Sequence, residues 1–318
     1  DTNDSQAISE SVNVASADVI SQVDVTTQTN DVVTTTANKP TQKKAIKNEK
    51  VVKKDDTTTN TTTNINKDNY NTYFDSTGTT LDTIKENTTI ILSGDFEDKN
   101  FQITTPNLYI TGDDTTNIKN GQIRIDVAAS GVTLTNIKIN NTNITSFDSS
   151  IENSAENVTI SNNNVFMEKV SGFTYAIRNY GANTKITQNN VTLNGPCTDI
   201  DFSGEGLANT IAIVTLYCEN VSIANNNVSV NQANGTTPTS YGTIECIDMK
   251  GKNITVNNNT LSIKAKKFVY AVNALGAEDV KITNNKIHAE SERYTAGVQY
   301  GTDYSGLYES KGLYLANN

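Results

Sequence analysis

The acidic side chains best spaced for chemistry lie in one Gly-rich stretch, Asn194 to Gly206, which reads NGPCTDIDFSGEG. Asp199, Asp201 and Glu205 there offer hard oxygen ligands for a divalent cation, with calcium the candidate ion, or the two carboxyl groups that glycoside hydrolysis needs. The bland reading of three acids in such a loop is a solvated excursion, and no acidic pair in a neighbouring segment argues against it. Asp113-Asp114 comes too early in the chain to serve as that second pair. His288, the only histidine, sits in an alternating stretch with Ile287 and reads as a strand residue rather than a catalytic base. Arg178, Lys185 and Lys264 could assist proton abstraction beside bound calcium, but none stands in a repeated spacing with the acids. Three cysteines, Cys197, Cys218 and Cys246, leave two readings open: a staple between Cys197 and Cys218, or free thiols in a core. Tyr175, Tyr180, Tyr217, Tyr241, Tyr270, Tyr294, Tyr300, Tyr304, Tyr308 and Tyr314 supply flat amphipathic area suited to sugars or protein partners. The sequence therefore offers binding chemistry more readily than catalysis.

Whatever positions these groups is repetitive. Val158 to Val165 (VTISNNNV) returns as TKITQNNV from Thr184, VSIANNNV from Val221, ITVNNNTL from Ile254 and VKITNNKI from Val280, and LYLANN from Leu313 starts one more copy. The central aliphatics are Ile160, Ile186, Ile223, Val256, Ile282 and Leu315. Three residues after each comes an asparagine: Asn163, Asn189, Asn226, Asn259, Asn285 and Asn318. Alternation around each aliphatic is the period-two pattern of a strand with one buried face. Asn after such a strand marks a tight corner, because it tolerates the left-handed backbone region. Stacked copies bring each Asn over the last, so the repeat predicts a coil with an internal amide ladder. Ile110 and Leu134 extend the anchors backward, giving steps of 24, 26, 26, 37, 33, 26 and 33 residues. Steps of this size hold second strand-like runs, such as FTYAI from Phe173, TIAIVTL from Thr210 and FVYAVN from Phe268. A three-sided coil with its surplus residues in loops along one edge follows.

Charge and composition divide the chain before the repeats begin. Residues 1–69 contain no aromatic residue, no Gly, no Leu and no Cys, and their Thr, Asn, Asp and Lys cannot bury enough apolar surface to order them. That segment reads as a disordered leader, 70–107 as a cap region over the first coil, and 108–318 as β-helix rungs. A solenoid end needs a cap, so a chain stopping at the ladder position Asn318 is expected to be truncated. The net charge is −10 and acids outnumber bases beyond residue 69, which excludes nucleic acid as the expected partner. No apolar run reaches the length of a transmembrane helix.

The rungs resemble the right-handed parallel β-helix of the pectate-lyase superfamily, and their Asn- and Thr-rich wording resembles adhesin-like surface proteins of methanogenic archaea. The resemblance covers residues 75–318. It implies an all-β solenoid at the cell surface or outside the cell, part of a longer anchored protein, whose partner is a glycan or a surface protein. The polygalacturonase-like hydrolases of the same fold carry a Gly-His-Gly motif that this chain lacks. A carbohydrate-active enzyme and a non-binding structural stalk are the alternatives, since fold alone does not choose among them.

Overall fold

A computed structural model describes residues 61–169, 173–195, 210–232, 244–265, 268–292, 294–302 and 310–318, all within one compact unit, Asp56–Asn318. Asp199, Asp201 and Glu205 lie outside the described residues, as do Cys197, Tyr241, Tyr304, Tyr308 and the leader up to residue 60.

The chain winds as a three-sided parallel β-helix. Its first face stacks Thr62–Ile65, Thr89–Leu92, Tyr109–Gly112, Thr133–Thr135, Thr159–Ser161 and Lys185–Thr187. It continues through the later parts of the long strands Thr210–Ala224 and Ile244–Asn257 to Ala277–Thr283 and Lys311–Ala316. The second face runs from Asp95–Glu97 through Asn164–Lys169, Asn190–Asn194, Asn227–Asn231 and Thr260–Ala265 to Lys286–Ser291. The third runs from Phe101–Ile103 through Ile123–Ile125, Ser149–Asn153 and Thr174–Asn179 into the early parts of the same two long strands. Phe268–Leu275 and Tyr294–Gly301 complete it. Every pairing between these strands is parallel, and the anchors fall opposite one another without slippage: Ile110↔Leu134, Leu134↔Ile160, Ile160↔Ile186, Ile186↔Ile223, Ile223↔Val256, Val256↔Ile282 and Ile282↔Leu315. Steps that differ by up to thirteen residues therefore leave the first face in register.

Period two explains this. The central aliphatics Ile160, Ile186, Ile223, Val256 and Ile282 are wholly buried in one continuous core. Each is worth about 1.5–3 kcal/mol of apolar burial, and a one-residue slip would turn it outward. The corners fix the ends of the strand. Before the first face, Asn157, Asn183, Asn220, Asn253 and Asp279 take φ between 52° and 60°. After it, Asn162, Gln188, Asn225, Asn258, Asn284 and Asn317 do the same, with φ between 54° and 59°. The left-handed residue is thus the one preceding the ladder position, and the ladder residue itself is free to turn inward.

That inward row satisfies its amides completely. Asn226 Oδ1 accepts from Asn189 N at 2.9 Å and Asn189 Nδ2 at 3.0 Å, while Asn226 Nδ2 donates to Asn259 Oδ1 at 3.0 Å and to Ile186 O at 2.9 Å. Asn189, Asn259 and Asn285 repeat the scheme, and Asn318 Oδ1 accepts from Asn285 Nδ2 at 2.7 Å. The row begins at Asn163, whose Oδ1 accepts from the backbone N of Ile137, the apolar residue at the equivalent place. Asn153 and Asn179 form a second, shorter buried row: Asn153 Nδ2 donates to Asn179 Oδ1 at 2.7 Å, and Asn179 Nδ2 donates to Thr215 Oγ1 at 3.0 Å. No repeat in the sequence announces it.

The coil begins earlier than the sequence suggests. Thr62–Ile65, inside the stretch read as leader, pairs with Thr89–Leu92, and Ile65 is fully buried. Behind it the one-turn helix Tyr70–Tyr73 and Phe74 pack Tyr70, Phe74, Phe96 and Phe101 into a cluster with ring centroids 4.9–6.4 Å apart, which plugs the first turns of the coil. Residues 70–107 are accordingly both plug and rung.

Candidate functional site

The outer side of the third face gathers an unusual set of charged, polar and aromatic side chains. Its inner row, Ile151, Ile177, Ile213, Ile247 and Val272, belongs to the main core. Tyr175, Ile211 and Val214 form a separate apolar cluster with Leu216, on the opposite side of the same sheet. Register defines two columns there. One stacks Ser149, Tyr175, Ile211, Glu245, Tyr270 and Ala296. The other stacks Glu152, Arg178, Val214, Asp248, Asn273 and Gln299. Most of these side chains are buried, so this sheet is covered on both sides. Runs such as TIAIVTL, apolar at nearly every position, are what a sheet covered on both sides requires.

Charge is arranged along the second column. Glu152 lies between Arg124, 3.2 Å away, and Arg178, 3.8 Å away. The Arg178 guanidinium sits 5.1 Å from the Tyr175 ring and 4.9 Å from the Tyr180 ring, within cation–π range. Burial pushes the Tyr175 hydroxyl up to about 12. Farther along, Glu245 accepts from Asn273 Nδ2 at 3.1 Å, and burial raises the Asp248 carboxyl to about 7 against the opposing pull of Lys250. Asp248 Oδ1, Asn273 Oδ1 and Gln299 Oε1 occupy one column on three successive rungs, and none has a hydrogen-bond partner among the described residues. A buried acceptor left this way is costly, and these three oxygens in line are shut off from solvent. Phe268, Tyr270 and Tyr294 bring aromatic faces to the same rungs, with centroids 5.8 and 6.1 Å apart.

The groups singled out from the sequence are dispersed. Arg178 is on this surface, Lys185 is exposed on the first face, and Lys264 is on the second face, 2.9 Å from Glu290. His288 is also exposed on the second face, its Nε2 2.8 Å from Glu290 Oε1. Asp113 caps a turn: Thr115 Oγ1 donates to its carboxylate at 2.6 Å, and that bond, with others from neighbouring side chains, lowers it to about 2. Tyr180 and Tyr217 border an open groove of about 670 Å³ at the corner between the third and first faces, where Tyr217 takes φ 57°. Cys218 and Cys246 are buried free thiols, both pushed up by burial, and Cys197, the other half of the expected staple, lies outside the described residues. Among the described residues no three His, Cys, Asp or Glu side chains converge as metal ligands, and no helix is long and apolar enough to cross a membrane. Sequence reasoning missed Glu245, Asp248, Asn273 and Gln299 because each occurs once, in a different run. Their shared signal, the place of an outward strand residue, appears only when the rungs are aligned.

Fold and surface together define a parallel β-helix with an internal asparagine ladder and a polar, aromatic outer face. Comparison with known protein families finds none that matches the chain, and comparison with curated proteins finds no match.

Proposed function

We propose that this protein is an adhesin-like module displayed at the cell surface, in which the rigid coil presents the exposed aromatic end of its third face, at Tyr294, to glycans or surface proteins of a partner. The observation that carries this reading is Tyr294, 50% exposed, whose ring lies 5.8 Å from that of Tyr270 and 6.1 Å from that of Phe268 on the last rungs of that face. A sugar offers a flat C–H face to such a ring. The Asn- and Thr-rich rungs, similar to those of archaeal surface adhesins, support the location. Clustered, bead-bound protein should be retained on immobilised glycans or whole cells, since multivalency raises weak contacts to measurable strength. Tyr294→Ala and Gln299→Ala should each reduce retention. Retention on neither support would leave a structural stalk as the better description.

A second reading has its own observation. Glu245 and Asp248 are two buried carboxyl groups on one strand, and Asp248 is held near neutrality, as a general acid must be. A carbohydrate-active enzyme would release new reducing ends, or unsaturated uronides that absorb in the ultraviolet. Turnover abolished by Asp248→Asn would replace the adhesin reading.

A further inference from the structure

A different surface lies on the outer side of the first face. Over the last rungs one outward column stacks Lys185, Ser222, Thr255, Lys281 and Tyr314, and the column beside it stacks Thr187, Ala224, Asn257, Thr283 and Ala316. Small side chains on successive rungs leave an open groove of about 440 Å³. Its rim is a row of amides: Asn284 Nδ2 donates to Asn257 Oδ1 at 3.0 Å and Asn317 Nδ2 to Asn284 Oδ1 at 3.3 Å. Tyr314, 58% exposed, rises at one end, with Lys281 Nζ 5.5 Å from its ring centroid.

Charge sets this face apart. The chain carries a net charge of −10, yet neither outward column holds an acid on any rung from Thr89 to Ala316. Lys119, Lys252, Lys264 and Lys311, elsewhere on the coil, each lie within 4.0 Å of a carboxylate on an adjacent rung. Lys185 and Lys281 make no ion pair among the described residues. On the adjoining corner, Glu278 and Asp279 are occupied by Lys252 and Lys311. Three rungs separate the two lysines, roughly 14 Å at the usual strand spacing.

We infer that this groove is a second binding surface, and that its ligand is a linear anionic polysaccharide lying along the coil axis. Acidic groups spaced along such a polymer meet Lys185 and Lys281, its hydroxyls meet Ser222, Thr255 and the amide rim, and a ring face stacks on Tyr314. A neutral glycan would leave both ammonium groups without a counter-charge. A protein partner would not need a groove whose polar groups repeat at the rung spacing.

The test uses the full chain on three polymers: dextran sulfate, hyaluronate and neutral dextran, which separate sulfate, carboxylate and neither. Retention by one or both anionic polymers and not by dextran is expected. Lys185→Gln with Lys281→Gln should weaken that binding about tenfold, whereas Lys264→Gln with Lys311→Gln, an equal change of charge on other surfaces, should change it less than about twofold. Tyr314→Ala should weaken it about fivefold with an unchanged melting temperature. Equal losses in the two lysine pairs, equal retention on dextran and dextran sulfate, or no retention by any of the polymers in bead-clustered form would overturn the inference. Gln299→Ala and Tyr294→Ala keep it separate from the third-face reading: they should leave binding to these polymers intact, and a loss in them would move the site to that face.

Discussion

Replacing Asn226 by leucine removes a side chain that makes four hydrogen bonds in a buried row, at 2.9–3.0 Å. The backbone N–H of Asn226 still reaches Asn259 Oδ1, so that oxygen keeps one partner. Asn189 does worse: its backbone N–H and one amide hydrogen both lose their acceptor, and Ile186 O loses the donor from the next rung. Two buried donors without partners, at about 1–3 kcal/mol each, give a loss of about 2–4 kcal/mol after the added apolar burial of leucine is set against them. The comparison residue is its neighbour. Asn225 is exposed at φ 59° and accepts from Asn258 Nδ2 at 2.7 Å. Asn225→Gly keeps the left-handed corner and should cost less than about 0.5 kcal/mol, whereas Asn225→Leu should cost about 1 kcal/mol for placing a branched side chain in that region. Urea midpoints with amide hydrogen exchange at residues 186–190 report both the size and the place of the effect. Equal destabilisation by Asn226→Leu and Asn225→Gly would refute the assignment of inner and outer rows.

Removing residues 1–60 should leave the coil's melting temperature nearly unchanged, while removing 1–69 strips Thr62–Ile65 and the Thr61 carbonyl that accepts from Thr89 N, uncovers the edge of Thr89–Leu92 and should lower it by several degrees in a thermal scan. Gly251→Ala should destabilise by more than about 2 kcal/mol in urea titration, because φ is 148° and an added Cβ would lie 2.0 Å from Cys218 O. The raised Asp248 carboxyl makes the folded chain hold a proton that the unfolded chain releases, so stability should fall as the pH rises from about 4 through about 7. Asp248→Asn should flatten that slope, and an unchanged slope in midpoints taken across this range would show that the carboxyl does not titrate there.

The first face was legible because its residues repeat. Ile160 and its equivalents, with Asn163 and its equivalents, keep a fixed distance on every rung, and hydrophobic alternation alone places them inside. The left-handed corner was legible in kind and misplaced by one residue, since runs such as Asn162-Asn163-Asn164 hide which asparagine turns and which points inward. Thr62–Ile65 was lost in a Thr- and Asn-rich context because one buried isoleucine carries no period. The third face was harder for a physical reason. Buried on both sides, it selects residues by packing against different neighbours on each rung, so Tyr175, Ile211, Glu245 and Tyr270 share a column without sharing a chemistry. The candidate site is made of such residues, and no pattern of residue types within one rung predicts them.

The unequal steps carry a consequence for how such a chain can change over generations. Rungs 26 residues long and rungs 37 residues long place the same isoleucine opposite the same isoleucine, because the surplus falls beyond the two left-handed corners that bracket the first face. Inheritance can therefore lengthen, shorten or rewrite the segments between the second and third faces, or, as on the last rung, between the third and the first, without disturbing the stack. A single deletion between Asn183 and Gln188 would have nowhere to be absorbed. The margins of the coil are open to novelty while the spine beside them is held to a fixed text.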